Sequence, residues 1–123
     1  MRLPERLLTG LAALCGLVGV ALSAAAAHVA GGSNLQIAAQ FLLFHAPALL
    51  ALVVLIHVEA VRPRLARLAG FVLILGLVLF SGDLARRALS GSPLAPMAAP
   101  TGGILLMIGW ALVGAAGLLR RHG

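Results

Sequence analysis

The sequence predicts an all-α integral membrane four-helix bundle with both termini cytoplasmic. Three observations carry that prediction. Hydrophobic residues make up 62% of the chain and charged residues only 10%, whereas soluble domains carry roughly a quarter charged. A chain of 123 residues is one domain by length and cannot hide that much apolar surface in one aqueous core. The apolar residues also fall into four runs, each near the ~20 residues that cross ~30 Å of hydrocarbon. Finally, short charged or Pro/Gly clusters separate the runs, and no connection is long enough for a soluble domain. The expected spans are 7–28, 35–58, 64–86 and 101–119, within a single transmembrane domain covering 1–123.

The first span follows a charged start, MRLPER, in which Pro4 suits an opening helical turn. Leu7 to Ala27 then runs for 21 residues without a charge. Cys15, Gly19, Ser23 and Ala27 fall four apart. They form either a smooth face for another helix or plain alanine-rich background. A secretory signal peptide is the rival reading, given the arginines and the A-x-A ending. The apolar run exceeds the usual 7–15 residue signal core, so retention is expected. Leu14 before Cys15 also makes a poor lipoprotein site. Cys15 is the only cysteine, which leaves no intrachain disulfide and no multi-Cys metal site.

Gly31 and Gly32 break the helical pattern. Ser33 to Gln36 reads S-x-x-Q, a capping box that places the second helix start at Asn34 or Leu35. The third span follows the basic turn EAVRPRLAR, with Pro63 suited to its first position. Ser81-Gly82 is an expected bend. Beyond it, Asp83 can meet Arg86 or Arg87 at i,i+3 or i,i+4, and Gly91 is a plausible stop. Residues 90–100, SGSPLAPMAAP, hold three prolines and no helical period, so they read as the longest loop. Thr101 opens the fourth span.

The net charge is +6 and every basic residue is arginine. Arg2, Arg6, Arg62, Arg64, Arg67, Arg120 and Arg121 lie on one side of a four-span chain, against Arg86 and Arg87 on the other. The arginine-rich side marks the cytoplasm. The same charge would attract anionic lipid head groups. Nucleic acid is not expected as a partner, because the arginines punctuate apolar runs and Trp110 is the one strong stacking platform. The expected partners are the lipid bilayer and other membrane-protein subunits or a second copy of the chain.

Polar groups in hydrocarbon are costly and invite a functional question. The candidate polar site comprises His28, Gln40, His45, Ser81, Asp83 and Thr101. His45 is the sharpest signal: about ten residues inside its helix, it falls close to the membrane midplane. It is either a proton relay, ligand contact or metal ligand, or an interhelical hydrogen bond that fixes packing. Packing is the expectation, with Ser81 or a backbone carbonyl of the first helix as the partner. Pro47 frees the carbonyl of Leu43 nearby. Gln40 is about 140° away from His45 around the helix, so the two do not form one tight site. His28, Asp83, Arg86 and Arg87 form either a proton or anion site or a solvated network at the helix ends, and the solvated network is the expectation.

No residue pattern supplies a nucleophile beside a base, a phosphate-cradling glycine loop or paired intramembrane carboxylates. None of the four histidines is paired at i,i+4. The expectation is a non-enzymatic accessory or partner-binding subunit without metal or cofactor. The alternatives are a small oligomeric transporter or channel using a polar outer vestibule and His45, and a lipid, quinone or haem binder.

Several short motifs occur in a distinctive order. They are Ala27-His28; Gln40 with Phe44-His45-Ala46 and then Leu49-Leu50; Phe80-Ser81-Gly82; Pro100-Thr101-Gly102-Gly103; and Gly109-Trp110. In this order and spacing the chain resembles the YgdD-like family of small membrane proteins, a domain of unknown function, along nearly its whole length. It departs from that family in the alanines of its first helix, in Pro47, in Asp83 and in Ala99. The resemblance implies a four-helix inner-membrane protein and supplies no catalytic residue.

Overall fold

The computed structural model describes residues 2–29 and 32–119. They form four α-helices: α1 (Leu3–Ala26), α2 (Gly32–His57), α3 (Pro63–Ser90) and α4 (Ala98–Leu118). Each is long and apolar enough to cross a membrane. The tail residues Arg120, Arg121 and His122, and Gly31, lie outside the described residues.

Local chemistry explains most helix ends. Pro63 occupies the first turn of α3, where its missing N–H costs nothing. Gly91 ends α3 in the left-handed conformation, at φ 76°, and its N–H donates to the Arg87 carbonyl. A side chain there would be strained, which is why glycine stops helices so often. Pro4 sits in the first turn of α1 in the same way.

Three sequence expectations are corrected. The α2 helix starts at Gly32, so Ser33 is already inside the first turn and does not cap it. Gln36 instead faces α1, with its Oε1 3.5 Å from the Ser23 hydroxyl. The α3 helix runs without a break through Ser81-Gly82 and on to Ser90, four residues past the expected span end. The α4 helix begins at Ala98, inside the proposed loop. Pro100 lies in its first turn, a place where proline loses no helical hydrogen bond.

The helices pack in the order of the chain. α1 lies along α2, α2 along α3 and α3 along α4. α1 also touches α3, but α1 and α4 are not packed against each other. Ala12, Leu42, Leu49, Leu73, Leu77 and Leu106 form the central apolar cluster. A second cluster of Leu52, Ile56, Val61, Ala66 and Ala116 closes the end where α2 turns into α3. There the Arg62 N–H donates to the Ala116 carbonyl at 2.9 Å, joining that turn to the end of α4.

Most remaining apolar side chains face outward; Phe44 is 70% exposed and Leu17 69%. Exposed apolar surface on this scale belongs in lipid. Lipid provides no hydrophobic drive between helices, so association depends on close packing at small residues. The α3–α4 contact shows this directly. A Cβ on Gly102 would lie 2.5 Å from the Phe80 backbone nitrogen and 2.7 Å from the Gly76 carbonyl oxygen. Neither backbone atom can yield without separating the helices.

Two alanine substitutions on α4 test this contact. Gly102→Ala is expected to destabilise the bundle by about 1–3 kcal/mol in detergent unfolding, the usual cost of overpacking. Gly114→Ala, where an added Cβ meets nothing within 4 Å, should be neutral or stabilising by up to about 1 kcal/mol through helix propensity. Equal stability of the Gly102→Ala protein and its parent would refute the close-approach account.

Candidate functional site

The six candidate residues do not form one site. His28, Gln40 and Thr101 are exposed, whereas His45, Ser81 and Asp83 are buried. The three buried residues point to three different neighbours. Each makes a contact that joins one element to another.

His45 is only 6% exposed. Its Nδ1 lies 2.7 Å from the Phe41 carbonyl oxygen, one turn back on α2. Its Nε2 accepts the indole N–H of Trp110 on α4 at 3.1 Å. A carbonyl can only accept and an indole N–H can only donate. The partners therefore assign the proton to Nδ1 and leave Nε2 as the acceptor in a neutral imidazole. Both ring nitrogens are used. This corrects the expected partner, which was Ser81 or a carbonyl of the first helix.

Aromatic contacts extend the connection across three helices. The Phe41 and Phe80 rings are 4.5 Å apart between centroids, and the His45 and Trp110 rings 5.7 Å. Phe80, Phe41, His45 and Trp110 thus form a row from α3 through α2 to α4.

The sequence contained the signal for Trp110 in its helix register. α2 and α4 run in the same direction, since each is separated from α3 by one turn of the chain. His45 lies 13 residues after Gly32 and Trp110 lies 12 after Ala98, so both stand about 18–20 Å down their helices. Trp110 is 47% exposed, but an indole N–H at this depth in hydrocarbon still needs an acceptor, and His45 is at its depth.

Ser81, 3% exposed, donates its hydroxyl to the Ala38 carbonyl at 3.0 Å and so joins α3 to α2. Asp83 is fully buried and is not part of a solvated end network, as the sequence suggested. Its Oδ2 accepts the Arg87 Nε–H at 2.9 Å, which is the anticipated i,i+4 pair. Its Oδ1 accepts the Leu94 N–H at 2.8 Å. One carboxylate thereby holds the α3–α4 loop against the helix it leaves. Proximity to the loop backbone, which residue spacing does not reveal, decides its burial.

The sequence reading missed Glu5 altogether. It sits in the first turn of α1, buried, and its Oε1 accepts the Arg67 Nε–H of α3. Its Oε2 has no hydrogen-bond partner among the described residues. Leu8, one turn on, packs over Gly70, so α1 meets α3 mainly at this end. Farther along, the two helices diverge and leave an apolar groove of about 350 Å³, walled by Leu14, Val18, Ile74 and Val78. The available signal for Glu5 was scarcity: it is one of three acids in the chain, set four residues before Thr9 at the edge of an apolar run.

No group of three or more His, Cys, Asp or Glu side chains comes together among the described residues. Residues 22–103 match the family described as "Protein of unknown function (DUF423)". The chain belongs to the DUF423 family. It is 36% identical to the UPF0382 inner membrane protein YgdD of Escherichia coli strain K12, over 89% of each chain. The Shigella flexneri protein of the same name matches it to the same extent. No solved structure matches. Membership and four spanning helices together make this DUF423 chain a multi-pass inner-membrane protein, as the motif order implied. The matched stretch contains His45, Ser81 and Asp83, while Glu5 and Trp110 lie beyond it.

A double-mutant cycle measures the histidine contact. His45→Phe and Trp110→Phe should each destabilise the bundle in detergent. The coupling between them should be about 0.6 kcal/mol and no more than about 1.7, the range measured for interhelical hydrogen bonds in a membrane protein. Strict additivity would show that the contact contributes nothing.

Proposed function

We propose that this DUF423 protein is a non-enzymatic membrane subunit that works by binding another membrane protein or a second copy of itself. One observation supports this most strongly: the buried polar side chains are engaged in joining the bundle's own elements. His45 has both nitrogens occupied, and Ser81 and Asp83 are held by backbone groups. A catalytic or transport site needs polar groups directed into a space that substrate can enter. Two cavities between helices among the described residues, of about 350 and 170 Å³, are walled mainly by apolar side chains; beside the Cys15 thiol, Ser81 and Trp110 are their polar-bearing members. Ser81 and Trp110 already have partners inside the bundle.

The outward faces favour protein contact as the remaining role. α1 and α4 are largely unburied, and each carries a glycine, Gly10 and Gly114, at which an added Cβ would meet nothing within 4 Å. We further infer that both termini are cytoplasmic, on the arginine distribution alone. Reporter fusions to either end read that orientation, and an external terminus would overturn it.

Crosslinking in intact membranes followed by native mass measurement tests the subunit reading. The expected result is a stoichiometric complex with a membrane protein or a second copy. It should persist in His45→Ala, because that residue faces inward. A chain that stays monomeric and uncrosslinked would overturn the proposal, as would solute flux in proteoliposomes that is abolished by His45→Ala.

A further inference from the structure

The end of the bundle where α1 and α3 begin concentrates cationic charge. Arg2, Arg6, Arg62 and Arg64 are all exposed there. Glu5 and Arg67 bring the two helix starts together. Arg67 is thereby neutralised, but Arg62 and Arg64 form no ion pair among the described residues. Glu59 is exposed in the preceding turn and is not among the lining residues of the hollow beside it.

That hollow, of about 460 Å³, is lined by Arg62, Pro63, Arg64, Leu65 and Leu68. Its chemistry changes along the helix. The two arginines stand at the helix start. Leu65 and Leu68 follow toward the apolar span, the lower leucine roughly 9 Å from Arg62 at 1.5 Å per residue. Leu68 is 52% exposed. The Arg62 N–H is already bonded to Ala116, which fixes the backbone beneath the guanidinium. The N–H groups of Arg64 and Leu65 have no acceptor within the helix, and they point the same way as the helix dipole.

A phosphate monoanion suits the upper part. Guanidinium groups hold phosphate oxygens with paired N–H donors, and basic pockets at helix ends bind lipid head groups. Free phosphate would use only the arginines, whereas a phospholipid also covers the leucines. Charged head above apolar chain is the vertical order of the hollow itself. We propose that this hollow binds the phosphate of an anionic phospholipid, with an acyl chain lying along Leu65 and Leu68. The site depends on the protein's place in the bilayer and is independent of the partner-binding reading.

Native mass spectrometry of the full chain in mild detergent, titrated with phosphatidylglycerol, tests this. The expected result is a saturable adduct whose affinity falls roughly fivefold for each of Arg62→Gln and Arg64→Gln, and more in the double variant. Arg62→Lys with Arg64→Lys should retain more affinity than the glutamine pair. Arg86→Gln, at the opposite end, should leave binding unchanged. Millimolar inorganic phosphate should not displace the lipid. Equal lipid affinity in the double glutamine variant and its parent would overturn the site. Displacement by inorganic phosphate would overturn the lipid assignment.

Discussion

Hydrocarbon offers no hydrogen bonds, so a polar group inside a membrane bundle must find its partner in the protein. That constraint organises this structure. Glu5 with Arg67 joins α1 to α3, Ser81 with Ala38 joins α3 to α2, and His45 with Trp110 joins α2 to α4. Asp83 with Leu94 holds the loop between α3 and α4. Each buried polar residue connects two elements that the chain does not connect directly at that point. What first looks like a dispersed site is a set of fasteners at different depths.

The fasteners differ in what they contribute. Neutral interhelical bonds are weak individually, and the approach at Gly76, Gly102 and Gly109 supplies the wide α3–α4 contact. Buried charges are a different case. Removing one partner of a buried ion pair leaves an uncompensated charge and costs about 3–5 kcal/mol, more than the pair itself contributes. Glu5 and Arg67 are therefore important for specifying where α1 sits. They secure one end of α1 over α3, while the groove between Leu14–Val18 and Ile74–Val78 marks where the two helices part. The outermost helices, α1 and α4, remain largely uncovered, which is the geometry expected of a unit that associates through its flanks.

The fold was largely legible because its signals are local. Four long apolar runs, Pro63 at a helix start, Gly91 at a helix stop and the Asp83–Arg87 spacing all act within a turn or two of themselves. The corrected helix starts at Gly32 and Ala98 are also local. In both cases small or proline-containing sequence is compatible with helix once neighbours hold it there. The site was legible only in part. His45 announces itself by depth, but its partner depends on the register of α2 against α4. Gln40 and Thr101 resemble His45 by residue type yet face outward, since polarity does not reveal which way a lipid-facing helix is turned. Glu5 was hidden in a charged leader whose apparent role was topological.

The central claim is that His45 is closed within the bundle and serves packing. Solid-state NMR of ¹⁵N-histidine- and ¹⁵N-tryptophan-labelled protein in lipid bilayers at neutral pH tests it most directly. The account predicts one rigid His45 signal with the proton on Nδ1, and with Nε2 correlated to the Trp110 indole proton. A His45 carrying its proton on Nε2, or one in contact with exchanging water, would contradict it.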